Sequence, residues 1–173
     1  MQAITLPDYL REDLDVVFVG AAASLWSAGA GHYYAGPNNR FYTLLHRSCF
    51  TERQYAPTED QALLDVGIGL TGLIKNVASS ANHLLPPPTE SQIAELHDKL
   101  RHYMPRWICY NGRDVYQMVH GEPSCGWAEQ EPTAEGSRVF VAISSSARAD
   151  RWGAERLQQY QELYGLIHTN TDL

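Results

Sequence analysis

Asp15-Val16-Val17-Phe18-Val19-Gly20 is a short apolar run of β-branched and aromatic residues closed by a glycine. That is the pattern of a strand buried on both faces and feeding a loop. From Ala21 to Asn38 the residues are small, aromatic and glycine-rich with no helical stripe, which predicts a long loop. Loops of that length in compact domains tend to carry function, so a site is expected here first.

Further along, Asn38 or Asn39 is placed to cap a helix running to Cys49, with Phe41, Leu44 and Leu45 on one face. Thr58-Glu59-Asp60-Gln61 has the form of a capping box opening a short helix to Asp65. The same form recurs at Thr89-Glu90-Ser91-Gln92, after Pro86 to Pro88. There Ile93, Leu96 and Leu100 supply the buried stripe of a helix that ends before Pro105. Trp107 to Tyr110 reads as a second strand, and Gly112 opens a helix bearing Val115, Tyr116 and Val119. Arg138 to Ile143 reads as a further strand, and Gly153 to Ile167 as a closing amphipathic helix.

Strands alternating with helices predict a three-layer α/β/α architecture with a central, mainly parallel sheet. In such folds sites form beyond the carboxyl ends of the strands. Three loops should therefore converge: Ala21 to Asn39, Asn111 to Arg113, and Ser144 to Arg151. The proline step at 86–88 and the Gly121 to Gly136 stretch read as surface connections, and residues 1–173 as one domain.

With 173 residues, 44% hydrophobic and 19% charged, the chain has the composition of an ordinary globular protein. No apolar run approaches the ~20 residues of a membrane span, and no secretory leader is visible, so a cytoplasmic location is expected. Three widely spaced cysteines, Cys49, Cys109 and Cys125, argue for free thiols and against a disulfide framework. The formal charge of −7 excludes nucleic-acid binding by bulk electrostatics but leaves room for a small local contact face. The cations are 11 Arg against 2 Lys, a bias toward the side chain suited to forked phosphate contacts and to stacking.

Gly67-Ile68-Gly69-Leu70-Thr71-Gly72 has the spacing of a dinucleotide fingerprint, but it follows a helix-like Ala62-Leu63-Leu64-Asp65 instead of a strand, and a tight turn fits better. The seven histidines are dispersed, so no metal site is expected. Ser144-Ser145-Ser146 lacks a base partner for nucleophilic catalysis. In the loop from Gly20 to Tyr42, small residues let backbone N–H groups face a ligand, and Tyr33 and Tyr34 offer flat rings on which a base could stack.

Four ordered segments carry a family resemblance. They are the run from Gly20 to Tyr42; Leu63-Leu64-Asp65 with Gly69-Leu70-Thr71; Tyr110-Asn111-Gly112-Arg113 with Val115-Tyr116; and Ser144-Ser145-Ser146-Ala147-Arg148. Together, from Val16 to about Leu163, they resemble the mismatch-specific uracil-DNA and thymine-DNA glycosylases of the uracil-DNA glycosylase superfamily. The resemblance implies a uracil-DNA glycosylase-like fold and hydrolysis of the N-glycosidic bond of uracil, or of other deaminated or damaged bases, in DNA. It places backbone around Ala21 and Ala22, together with Tyr34 and Asn39, at an extruded base, with Tyr34 stacking on it. Ser27 would lie near target-strand phosphate. Ser145 and Ser146 would grip the strand, and Arg148 would fill the hole left by the flipped nucleotide.

The chain departs from that family where a water-positioning Asn is usual: it has Ala22, and a second polar position is Gly72. Positioned groups of this kind contribute roughly 10² to 10⁴ in rate. His32, Asp65, Asn111 and Ser144 are the candidate replacements, His32 first because it sits in the base-facing loop and imidazole is the side-chain group suited to proton exchange near neutrality. The expected partner is double-stranded DNA with uracil or a damaged base, single-stranded DNA being a further substrate form. A monomer needing no cofactor is expected, and Lys75 and Lys99 sit in settings too polar for lyase chemistry. Two competing readings are a damaged-DNA or abasic-site binding protein without turnover, and a small-molecule enzyme holding a nucleotide at Gly67 to Gly72.

Overall fold

The computed structural model describes residues 6–121, 125–131 and 136–169. Strand β1 (Val16–Ser24) is the centre around which the sheet forms. It pairs in parallel with β2 (Ile68–Ser79) on one side and with β3 (Trp107–Asn111) on the other, and β3 pairs in parallel with β5 (Arg138–Ala142). The short β4 (Ala128–Gln130) runs antiparallel on the β5 edge, giving the order β2-β1-β3-β5-β4.

Alternation along β1 explains the layers. Val16 and Phe18 point to one face, where they meet Phe41, Leu44 and Leu45 of α2 (Phe41–Arg47) and Tyr160, Leu163 and Ile167 of α5 (Gly153–Thr169). Val17 and Val19 point to the other, against Leu96 and Leu100 of α3 (Glu90–Tyr103) and Val115 and Val119 of α4 (Arg113–His120). All four β1 side chains are fully buried, which is why the strand reads as a continuous apolar run instead of an alternating one. The result is the three-layer α/β/α fold. No helix of the described residues is long and apolar enough to cross a membrane.

Three local expectations change. The predicted loop from Ala21 is shorter, because β1 continues to Ser24 and is followed by α1 (Leu25–Ala30), whose N-cap Ser24 accepts a hydrogen bond from the Ser27 N–H. Only residues 31–40 remain irregular. The Gly67 to Gly72 run is not a tight turn. Gly67 ends a 3₁₀ segment (Pro57–Val66), and the rest opens β2, an edge strand that the small glycine-rich residues concealed. A Cβ on Gly69 would lie 2.7 Å from Leu14 Cδ1 and 2.8 Å from the Tyr9 carbonyl oxygen, so this glycine permits close packing inside the sheet. Finally, the Thr58 capping box does not form: the 3₁₀ segment opens at Ala56, which has no side-chain acceptor, and Glu59 alone reaches back to accept from the Ala56 N–H at 2.8 Å. The box at Thr89 forms as read, with Gln92 reciprocating. Of the Gly121 to Gly136 connection, 122–124 and 132–135 lie outside the described residues; the part between contains β4.

Candidate active site

A cavity of about 850 Å³ opens at the carboxyl ends of the parallel strands, the place where this architecture leaves loops free to build a site. Its walls come from the end of β1 (residues 20–24), the end of β2 with the segment after it (79–83), the junction of β3 with α4 (111–114) and the loop after β5 (143–149). The three loops predicted to converge do so.

The floor is made of small residues. Ala21 is buried and Ala22 half-buried, and Gly72 lines the same space from β2, where it pairs with Gly20. The β1–β2 register shifts between Ala22 and Ala23, which breaks regular pairing at the cavity. Such an irregularity releases backbone groups from the ladder and re-aims the strand end. Neither Ala22 nor Gly72 presents a side-chain polar atom to the cavity.

Tyr34 covers the floor. Its backbone is left-handed (φ 52°), a costly conformation for an aromatic residue and one that clusters at functional positions. Its ring packs 4.2 Å from that of Phe41, and its hydroxyl sits where a Cβ on Gly20 would come within 3.3 Å. Glycine at 20 therefore makes room for it. The hydroxyl is buried without a hydrogen bond of good geometry. Burial pushes its pKa up to about 12, the nearby Asn111 amide countering part of the effect, so at neutral pH it is a neutral phenol. Asn39 also lines the cavity, its Oδ1 held by the Phe41 N–H at 3.0 Å. Ser27 lines it but is 2% exposed, its hydroxyl accepting from Ser24 Oγ and from the Ala35 N–H. This serine braces the Tyr34 loop.

The serine loop is held from three sides. Ser145 is buried against Asn111 and its carbonyl accepts from the Arg40 N–H. Arg156, 3% exposed, donates from one Nη to the carbonyls of Ser144 and Ser146 at 2.9 and 3.0 Å and from the other to Asp150 at 3.0 Å. Ser146 caps the 3₁₀ segment Ala147–Trp152 by accepting from the Arg148 N–H. From this braced loop Arg148 reaches across the cavity mouth, its Nη2 donating to the Ser80 carbonyl at 3.3 Å.

His32 and Asp65 stand away from the cavity. His32 Nδ1 pairs at 3.1 Å with Asp60, a 1%-exposed carboxylate that also accepts from the Tyr33 and Gln61 N–H groups. Together they fasten the Tyr34 loop from behind. Asp65 is exposed in the 3₁₀ segment leading into β2, at the amino end of the sheet, whereas the cavity lies at the carboxyl end. Asn111 and Ser144 do line it. Both amide atoms of Asn111 are engaged by Ser145, and Ser144 Oγ accepts from the Ser146 N–H at 3.2 Å.

Sequence reading missed the contribution of β2, Lys75 above all. Lys75 Nζ lies 2.7 Å from Asp8 and 3.2 Å from Tyr33 Oη, and Lys99 reaches the other Asp8 oxygen at 2.7 Å. Burial works against the Asp8 charge, but hydrogen bonds from Lys75 and Lys99 outweigh it and hold the carboxyl below its usual range. Lys75 is thus engaged in an ion pair at the edge of the cavity. Trp127 and Trp152 also line the mouth; a strand edge and a short 3₁₀ turn gave them no periodic signal. Among the described residues no three His, Cys, Asp or Glu side chains cluster to hold a metal ion.

A family model described as the uracil DNA glycosylase superfamily matches residues 7–167. Among solved structures, a solution NMR structure from Methanosarcina acetivorans, provisionally named a uracil DNA glycosylase, superposes with a TM-score of 0.66. It is 20% identical, with 95% of this chain and 98% of that chain covered. At that identity the likeness speaks for the fold.

Proposed function

Because the chain belongs to the uracil DNA glycosylase superfamily, we propose that it is a monofunctional DNA glycosylase that hydrolyses the N-glycosidic bond of uracil, or of a related damaged base, and leaves an abasic site. One observation carries this reading: the Tyr34 loop and the serine loop meet at one rim, around a cavity that Arg148 spans to Ser80. The motif resemblance supports assigning it to the mismatch-specific branch.

A base within a stack cannot reach such a cavity, so the nucleotide is first turned out, at a cost of a few kcal/mol that mispairing or damage lowers. Arg148 leaves Ser80 and enters the gap. The base slides over the Ala21–Ala22 backbone and beneath the Tyr34 ring, with the Asn39 amide at its edge. As the bond between C1′ and the base nitrogen lengthens, positive charge develops on the sugar and negative charge on the base. Backbone N–H groups on the cavity floor then stabilise that negative charge in a water-poor site. Water adds its oxygen to C1′, one proton is released, and the departing base takes up a proton.

No side chain at Ala22 or Gly72 can orient that water. Of the four candidate replacements only Asn111 and Ser144 reach the cavity, and both are already hydrogen-bonded. This observation favours a second reading, a protein that recognises damaged or abasic DNA with slow or no turnover. Incubation of excess protein with a uracil-containing oligonucleotide separates the two. Release of free uracil supports the enzyme. Tight binding to an abasic duplex without release supports the second reading, and Ala22→Asn then increases release. Neither binding nor release overturns both.

A further inference from the structure

Tryptophan is the largest apolar side chain and is highly buried on average, yet three of the four in this chain remain exposed. Trp107 is 1% exposed, whereas Trp127, Trp152 and Trp26 are 42, 45 and 66% exposed. Trp127 and Trp152 lie on the rim of the cavity, and each carries an arginine against its ring. The Arg113 guanidinium is 4.7 Å from the Trp127 ring and that of Arg151 is 5.2 Å from the Trp152 ring. A guanidinium on one face leaves the other face of an indole for a flat partner and adds a phosphate-binding charge beside it. The local charge also inverts. The chain carries 13 Lys and Arg against 20 Asp and Glu, but the cavity wall has Arg113, Arg148, Arg151 and Lys75 against only Asp114 and Glu155. With Lys75 paired to Asp8, three arginines stand against Asp114 and Glu155, an excess of one positive charge that comes from the arginines at the mouth.

Aromatic faces alternating with cations along a groove form a surface on which successive unpaired bases stack while the backbone follows the charge. In a regular duplex the neighbours of an extruded nucleotide stay stacked on their own strand and offer no free face. We infer that Arg113–Trp127 and Arg151–Trp152 form a stacking platform for the unpaired nucleotides beside the extruded one, so the chain engages single-stranded or locally unwound DNA in preference to regular duplex. This rests on the reading that the cavity receives a nucleobase from DNA.

The test is a titration, followed by tryptophan fluorescence, with one uracil-containing oligonucleotide presented single-stranded and as duplex; base release is measured in the same samples. Wild-type protein should bind the single strand more tightly, with quenching that Trp127→Ala and Trp152→Ala each reduce. Loss of one stacked base weakens single-strand affinity by about 5- to 150-fold, and duplex affinity falls less. Trp127→Phe and Trp152→Phe keep a ring and recover part of the loss, which excludes misfolding as its cause. Equal affinity for both forms, equal losses on both, unchanged fluorescence, or a dimer that the alanine variants dissociate would each overturn the platform. Uracil release without strand preference removes this inference and leaves the glycosylase reading intact; single-strand preference without release keeps the platform and removes the hydrolysis.

Discussion

Asn111, at the end of β3, and Ser145, in the loop after β5, hold each other through two hydrogen bonds. The Asn111 Nδ2 donates to Ser145 Oγ and the Ser145 N–H donates to Asn111 Oδ1, both at 2.9 Å. Both residues are buried, so the exchange staples two neighbouring parallel strands together where their hydrogen-bonded ladder ends.

Asn111→Ala should therefore act first on stability. It leaves the Ser145 N–H buried and unsatisfied, a loss of ~1–3 kcal/mol in urea unfolding. Base release should fall with it, since Arg148 is carried by the same loop. A variant of unchanged stability would show that the staple is dispensable.

Tyr34 separates into a ring and a hydroxyl. Tyr34→Ala removes the stacking surface and should weaken base capture by about 1–3 kcal/mol, read as a 5- to 150-fold loss in single-turnover release at subsaturating protein. Tyr34→Phe keeps the ring and deletes a buried hydroxyl that lacks a well-formed hydrogen bond. Its thermal midpoint should equal or exceed that of the wild type, and any accompanying fall in release would measure what the hydroxyl does to the bound base.

Arg148→Ala should distinguish a wedge from a phosphate clamp. A wedge fills a gap that exists only in duplex, so affinity for an abasic duplex should fall well beyond that for an abasic single strand. Equal losses, accompanied by a lowered dependence on salt, would identify an ordinary phosphate contact.

Asp8 links stability to acid. Its carboxyl titrates below the ordinary range when folded, because hydrogen bonds from Lys75 and Lys99 overcome the opposing effect of burial. A carboxyl with a lowered folded pKa contributes stability that is present above the unfolded value of about 3.9 and is lost as pH falls through the folded value. Urea unfolding between pH 6 and 2 should show this acid-side loss, and Asp8→Asn should flatten it while costing about 0.5–3 kcal/mol at neutral pH. An unchanged profile in the variant would assign the acid sensitivity to other groups.

Much of the architecture was written in local pattern. The Val16 to Val19 run, the Thr89 capping box and the Leu96–Leu100 stripe each specify their element through contacts a few residues apart, and their alternation implies a parallel sheet with helices on both faces. Tyr34, Asn39 and the Ser144 to Arg148 loop are singled out by the family resemblance of their segments, because residue type alone reads equally well as rings covering a core or serines forming a turn. Strand β2 could not be read as a strand, because Gly67, Gly69 and Gly72 imitate a turn. Glycine in a strand becomes intelligible only once Leu14 and the Tyr9 carbonyl are seen pressing against it. Tertiary structure alone decided that His32 is committed to Asp60, that Lys75 pairs with Asp8, and that Arg156 braces the serine loop. The first two close separations of 28 and 67 positions along the chain and the third joins a helix to a loop, and the choice of partner depends on where the folded backbone brings charged and polar groups together out of water, which no local pattern records.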